Sequence, residues 1–116
     1  MQGTKLMEMN KGLNKVMLIG WVDGEPEIRL TPNGRPVATF TIVVPRNWVS
    51  AEGEQHEDNE WFNIVAWNSL AEFAGDQLTA DLQVYVDGRL QTRRWQDASG
   101  RRHFRTEVVA QEIILL

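Results

Sequence analysis

The chain has 116 residues, 42% of them hydrophobic, with no cysteine and a formal net charge of −4. That length suits one domain with its own core rather than two, and the lack of cysteine excludes disulfides, thiolate nucleophiles and Cys-based zinc sites. No apolar run approaches the ~20 residues of a membrane span, and "MQGTKLMEMNKGLN" has no secretory h-region, so residues 1–12 read as a flexible extension before one folded domain over 13–116.

"KVMLIGWV" (Lys15 to Val22) is apolar on both parities, the pattern of a strand buried on both faces, and "PEIRL" continues it past a bend at "DGEP". In "TPNGRP" the Asn33-Gly34 pair tolerates the positive φ of a tight hairpin, so "PEIRL" should pair with "VATFTIVV". Pro45 removes a ladder donor and should end or bulge that second strand. "AEGEQHEDNE" (Ala51 to Glu60) reads as an acidic loop, with five carboxylates and no basic residue.

"EWFNIVAW" is the third strand, with Trp61, Asn63, Val65 and Trp67 on one face and Phe62, Ile64 and Ala66 on the other. "NSLAEFAGDQL" is the helix, with capping-box spacing at Ser69 and Glu72 and an apolar stripe of Leu70, Phe73, Ala74 and Leu78. "LQVYVDGRLQTRRW" alternates as a strand that puts Arg89, Arg93 and Trp95 on one face; "QDASGR" is a turn and "HFRTEVVAQEIILL" the last strand. No internal repeat is visible. The order β-β-β-α-β-β predicts an all-β fold with one short helix. It is the pattern of the OB-fold, a five-stranded Greek-key barrel, and a small open β-sandwich would give similar periodicities.

The tryptophans carry the chemistry. Five occur in the chain, and the outward strand faces place Trp61 and Trp67 with Asn63, and Trp95 with Arg89 and Arg93, while Trp48 lies just past Pro45. An indole face accepts any base, and a neighbouring guanidinium holds a phosphate, so this interleaving points to unpaired nucleic acid. A lone tryptophan in a small domain is usually core or interface; several on faces opposite aliphatic residues favour a ligand surface. The segment Gly88–Arg105 holds six arginines against one aspartate, which lets an acidic protein keep a basic groove. His56 and His103 lack metal spacing and read as ordinary surface residues. No phosphate-cradling glycine loop or nucleophile elbow appears, so no enzyme, metal or cofactor is expected.

Taken together, "NKVMLIG", "TPNGRPVATFTIVV", "NEWFNIVAW", "LAEFA", "VYVDGRLQTRRW" and "RTEVVAQEI" resemble, in order and spacing over about residues 13 to 115, the bacterial and mitochondrial single-stranded DNA-binding proteins. The resemblance implies an OB-fold homotetramer that wraps single-stranded DNA in replication, recombination and repair. By motif it assigns base stacking to Trp48, Trp61, Trp67 and Trp95, with Trp21 an additional stacker, and backbone contacts to Lys15, Arg29, Arg35, Arg89, Arg93 and Arg94.

Relatives often have lysine where this chain has Ser69, and basic residues and a glycine where it has "QLTADL". Read to its end at "EIILL", the sequence leads to the expectation that the acidic tail by which relatives recruit replication and repair proteins is absent. The expected setting is the bacterial cytoplasm, at the nucleoid, rather than the mitochondrion or a membrane. The competing readings are an OB-fold accessory module that binds a protein partner, and a sugar-binding OB domain. The interleaved arginines argue for a polyanion.

Overall fold

The computed structural model of the protein describes residues 12–116, so the proposed extension lies, except for Gly12, outside the described residues. The elements follow the expected order: β1 (Val16–Leu30), β2 (Pro36–Val49), β3 (Gln55–Trp67), α1 (Ser69–Gln77), β4 (Gln83–Gln96) and β5 (Arg102–Leu115). The strands close into a barrel in the order β1-β2-β3-β5-β4, with β4 returning to β1. Every pairing is antiparallel except β3 with β5. Parallel neighbours need a long crossover, and α1 with β4 supplies it. This is the five-stranded OB-fold architecture.

Period-two alternation fills the barrel. Ala38, Phe40 and Ile42 of β2, Ile64 and Ala66 of β3, Val84 and Val86 of β4, and Val108 and Ala110 of β5 form one buried cluster with Val22 of β1. Helix α1 plugs one end with Ala71 and Ala74, and Leu78 just beyond it joins them. Each buried valine, leucine, isoleucine or phenylalanine of the cluster contributes roughly 1.5–3 kcal/mol relative to exposure. At "DGEP" the register with β2 slips between Asp23 and Glu27 while β2 advances only from Thr41 to Thr39, and Gly24 adopts φ 78°. The extra residues bend β1 so that one strand borders both β2 and β4.

Four expectations change. β1 is buried on one face only: Val22 and Gly20 point inward, but Met17 is 64% and Ile19 52% exposed, so the second apolar face is left open in the single chain. Pro45 neither ends nor bulges β2, which runs on to Val49 with Pro45 opposite Asn59. Pairing with β1 stops at Val43, so the outer edge of β2 is free there and a proline facing it loses no ladder bond. The acidic segment is mostly strand, because β3 begins at Gln55 and carries Glu57, Asp58 and Glu60. Finally, Asn68, not Ser69, caps α1. Its carbonyl accepts the Glu72 N–H at 3.1 Å with no side-chain cap bond, so the capping box does not form.

The three tight hairpins share one construction. Thr31, Ser50 and Asp97 each accept, through the backbone carbonyl, the N–H of a glycine three residues on (Gly34, Gly53, Gly100), and each glycine has φ of 82–83°. Each opening residue also accepts, through its side-chain oxygen, the N–H of the residue after that glycine: Arg35 at 3.0 Å, Glu54 at 3.1 Å and Arg101 at 2.9 Å. Only the glycine takes the left-handed conformation; Asn33 does not.

Candidate nucleic-acid interface

Antiparallel partners point to the same face, so the β1–β2–β3 register defines cross-strand rows on the barrel exterior. They are Trp21/Val43/Trp61, Asp23/Thr41/Asn63, Glu27/Thr39/Val65 and Arg29/Val37/Trp67. Trp61 and Trp67 therefore bound one continuous face, with Trp21 in the same row as Trp61 and Arg29 in the same row as Trp67. Trp61 is 57% exposed, a large apolar ring offered to solvent on a strand whose alternate residues fill the core. The Arg35 guanidinium lies 4.5 Å from the Trp67 ring centre and donates through Nε to Asn68 Oδ1 at 3.4 Å.

Between these rows and the β4–β5 pair runs a cleft of about 380 Å³ in which Arg29, Arg93 and Arg105 face Asp23, Glu25 and Glu27 as well as Thr39, Thr41 and Asn63, and Arg29 Nε lies 3.4 Å from Glu27 Oε1. A second cleft shares Arg29, Thr39, Arg93 and Glu107 with it and extends the channel to Trp67 and Gln91. Glu107, nearly buried, organises the cations: its Oε1 is 3.4 Å from Arg93 Nε and its Oε2 3.9 Å from Arg105 Nε. Arg105 Nη2 donates to Asn63 Oδ1 at 2.7 Å. One carboxylate thus holds two guanidinium groups at the channel while leaving donors to spare. No group of residues suited to holding a metal ion occurs among the described residues.

The β2–β3 and β4–β5 hairpins extend beyond the barrel as two arms. On the first, Trp48 stacks on His56 with ring centres 5.0 Å apart and planes 15° from parallel, and Arg46 lies 4.5 Å from the indole centre. On the second, Trp95 stacks on His103 at 5.3 Å and 18°, with Arg93 at 4.5 Å. His103 Nε2 is 2.8 Å from Asp97 Oδ2. That bond, with those from Ser99 and Arg101, pulls the Asp97 carboxyl down to about 2. By alternation Trp95 shares the channel side of its arm with Arg93, whereas Trp48 stands on the opposite face of its arm from Trp61.

Of the predicted residues, Arg29, Arg93 and Trp67 line this channel, Arg35 lies over Trp67 and Trp95 beside Arg93, and Trp61 and Trp21 share the row next to that of Asn63. Arg89 borders the channel, with Nη1 donating to Gln91 Oε1 at 3.4 Å. Arg94 lies on the other face of its arm, over Phe104 at 5.6 Å. Lys15 stands apart, ion-paired at 3.4 Å with Asp87 among Met17 and Tyr85. There the Tyr85 hydroxyl donates to Asp87 Oδ2 at 2.9 Å, which raises the tyrosine and lowers the carboxyl.

Sequence reasoning missed Arg46, His56, His103, Phe104 and Arg105. A signal existed for the histidines: "RNWVSAEGEQH" and "RRWQDASGRRH" space arginine, tryptophan, alanine, glycine and histidine identically, a short internal repeat where none was expected.

Residues 13–116 match the profile of the Single-strand binding protein family. Among solved structures, the chain is similar to the Plasmodium falciparum SSB in complex with ssDNA, at 31% identity and a TM-score of 0.85, covering 92% of this chain and 97% of that one.

Proposed function

The chain belongs to the single-strand binding protein family, a family of non-enzymatic binding proteins, and we propose that it binds and protects single-stranded DNA without reading its sequence. The observation that carries the reading is the channel lined by Trp67, Arg29, Arg93 and Arg105, with Arg35 over Trp67, Arg93 also over Trp95, and Trp61 on the face that bears Asn63. Bases stack on the indoles, each worth roughly 1–3 kcal/mol. The guanidinium groups meet the phosphates and release counterions. Trp48 offers a separate stacking surface on the opposite face of its arm, and Trp21 widens the channel side beside Trp61. Arg89 and Arg94 are further phosphate contacts, and Lys15 becomes one where the strand passes the β1–β4 side.

The working form is a homotetramer. Met17, Ile19 and Trp21 of β1 and Ile114 of β5 leave an exposed apolar face beside Tyr85, the kind of surface that a subunit contact covers. Several barrels around one axis let a long strand wrap with avidity. Replication, recombination and repair at the nucleoid in the bacterial cytoplasm are the processes that need such a protein.

Titration with oligo(dT), followed by tryptophan emission, tests the proposal. Strong quenching is expected because the proposed stackers include all five tryptophans. Unchanged emission with excess oligonucleotide in low salt refutes it.

A further inference from the structure

The repeated eleven-residue pattern of the arms, Arg46–His56 and Arg93–His103, gives each arm the same tip. Gly53 and Gly100 take the same φ of 83°, which fixes the same hairpin register and sets Trp48 opposite His56 and Trp95 opposite His103. Both imidazoles lie against their indoles, and each has a carboxylate beside it: Glu54 at 3.9 Å from His56 and Asp97 at 2.8 Å from His103. A tryptophan platform alone needs neither ring nor acid. Their joint recurrence on two hairpins, beside residues otherwise suited to hold bases, gives each platform a titratable neighbour.

We propose that His56 and His103 are nucleic-acid-facing residues of these two stacking modules, and that their protonation tightens the binding of single-stranded DNA. This deepens the DNA-binding reading above and rests on it.

The sign follows from charge. With a neutral imidazole, the charge of the carboxylate beside each histidine is not offset by that ring, and it repels a phosphate passing the tip. With an imidazolium, the carboxylate is matched and the tip gains donors for a phosphate. Asp97 stays ionised throughout, since its carboxyl is held at about 2. The other charges facing His56 are Arg46 from β2 and Asp58 on the same face of β3; those facing His103 are Arg93 from β4, with Arg101 and Arg105 two positions to either side. Carboxylates and guanidinium groups titrate outside the range between about pH 5.5 and about pH 8, where histidine changes charge. These two are the only histidines in the chain.

The test is the affinity for labelled oligo(dT), whose base does not protonate in this range, at about pH 8 and about pH 5.5. Binding is expected to be roughly three- to tenfold tighter at the lower pH, the size of two exposed charge contacts. The salt slope should steepen by up to about 1.4, or about 0.7 for each added phosphate contact. The His56→Gln/His103→Gln protein should lose the dependence whatever its affinity at the higher pH, and each single variant should lose about half of it.

Emission of the DNA-free protein provides a second reading. An imidazolium in contact with an indole quenches it, so emission should fall on acidification in the unaltered protein and not in the double variant. Intact binding at the higher pH with a flat pH profile, or a profile that survives in the double variant, overturns the inference alone. No binding at either pH overturns the DNA-binding function and the inference with it.

Discussion

At the scale of single residues, Trp61 and Trp67 sit at opposite ends of one barrel face but in different surroundings. Trp61 stands free of any arginine, and Trp67 is roofed by Arg35, which Asn68 Oδ1 holds in turn. Asn68 adopts φ 56° and ψ −122°, a conformation rare for anything but glycine, at the point where β3 turns into α1 and meets the channel. Neither indole belongs to the buried cluster. Changing Trp61 or Trp67 to alanine should therefore cost roughly 1–3 kcal/mol of oligo(dT) binding while leaving the thermal midpoint nearly unchanged. Calorimetric titration beside a melting curve checks both halves; a collapsed melting midpoint would assign the residue to the core instead. The outward placement of Trp61 and Trp67 was legible in the sequence because a strand's period of two reports its faces. The partnership of each indole with its arginine or histidine was not, because it depends on cross-strand register.

At the scale of the hairpins, the turn oxygens of Thr31, Ser50 and Asp97 do the same work, but only Asp97 ionises. Its carboxyl is lowered chiefly by the His103 bond, so its contribution to stability is fully present above the ordinary carboxyl value of ~3.9 and is lost as pH falls through about 2. Asp97→Asn should melt earlier than the unaltered protein at neutral pH, and the difference should narrow as pH drops from about 4 towards about 2. Acid titration of the two melting midpoints measures this.

The arms also differ in charge. Residues 46–60 hold five carboxylates against one arginine, and residues 89–105 hold six arginines against one carboxylate. The acidic loop that composition predicts is not what forms: Glu57, Asp58 and Glu60 lie on the strand that bears Trp61. Neutralising these three with Gln, Asn and Gln should tighten oligo(dT) binding in low salt. The gain should shrink as the Debye length falls from ~10 Å at 0.1 M towards ~3 Å at 1 M. Affinities of the two proteins across a salt series would reveal a constant gain if the effect were not electrostatic.

At the scale of the whole molecule, the barrel sorts its exterior into two working sides. The β1–β2–β3 rows with the β4–β5 arm form the aromatic and arginine channel, and β1 with β4 and β5 leaves Met17, Ile19 and Ile114 open. Because β1 borders both sides, Trp21 lies at their boundary. Ile19→Glu places a charge in the open apolar face, where burying it against a partner is costly. Light scattering should show a tetramer for the unaltered protein and smaller species for this variant, with the weaker binding of long oligo(dT) that follows from lost avidity. A monomer in the unaltered protein at binding concentrations would refute the assembly.

The element order, the helix, the turns at "TPNGRP" and "QDASGR" and the inward faces of β2, β3 and β4 were legible in the sequence, since alternation and turn residues act locally and survive any arrangement of the strands. So were the candidate stackers, because a tryptophan opposite an aliphatic face is visible in one strand alone. That Pro45 lies within a strand was not legible there, since it depends on which edge of β2 has a partner. The same holds for the acidic segment's place in an arm, for the gathering of Arg93 and Arg105 at the channel by Glu107, and for the two distant histidines that each lie flat on a tryptophan. Those are matters of register and closure, set by which strands meet and at which residue, and a single strand's pattern carries no record of its neighbour.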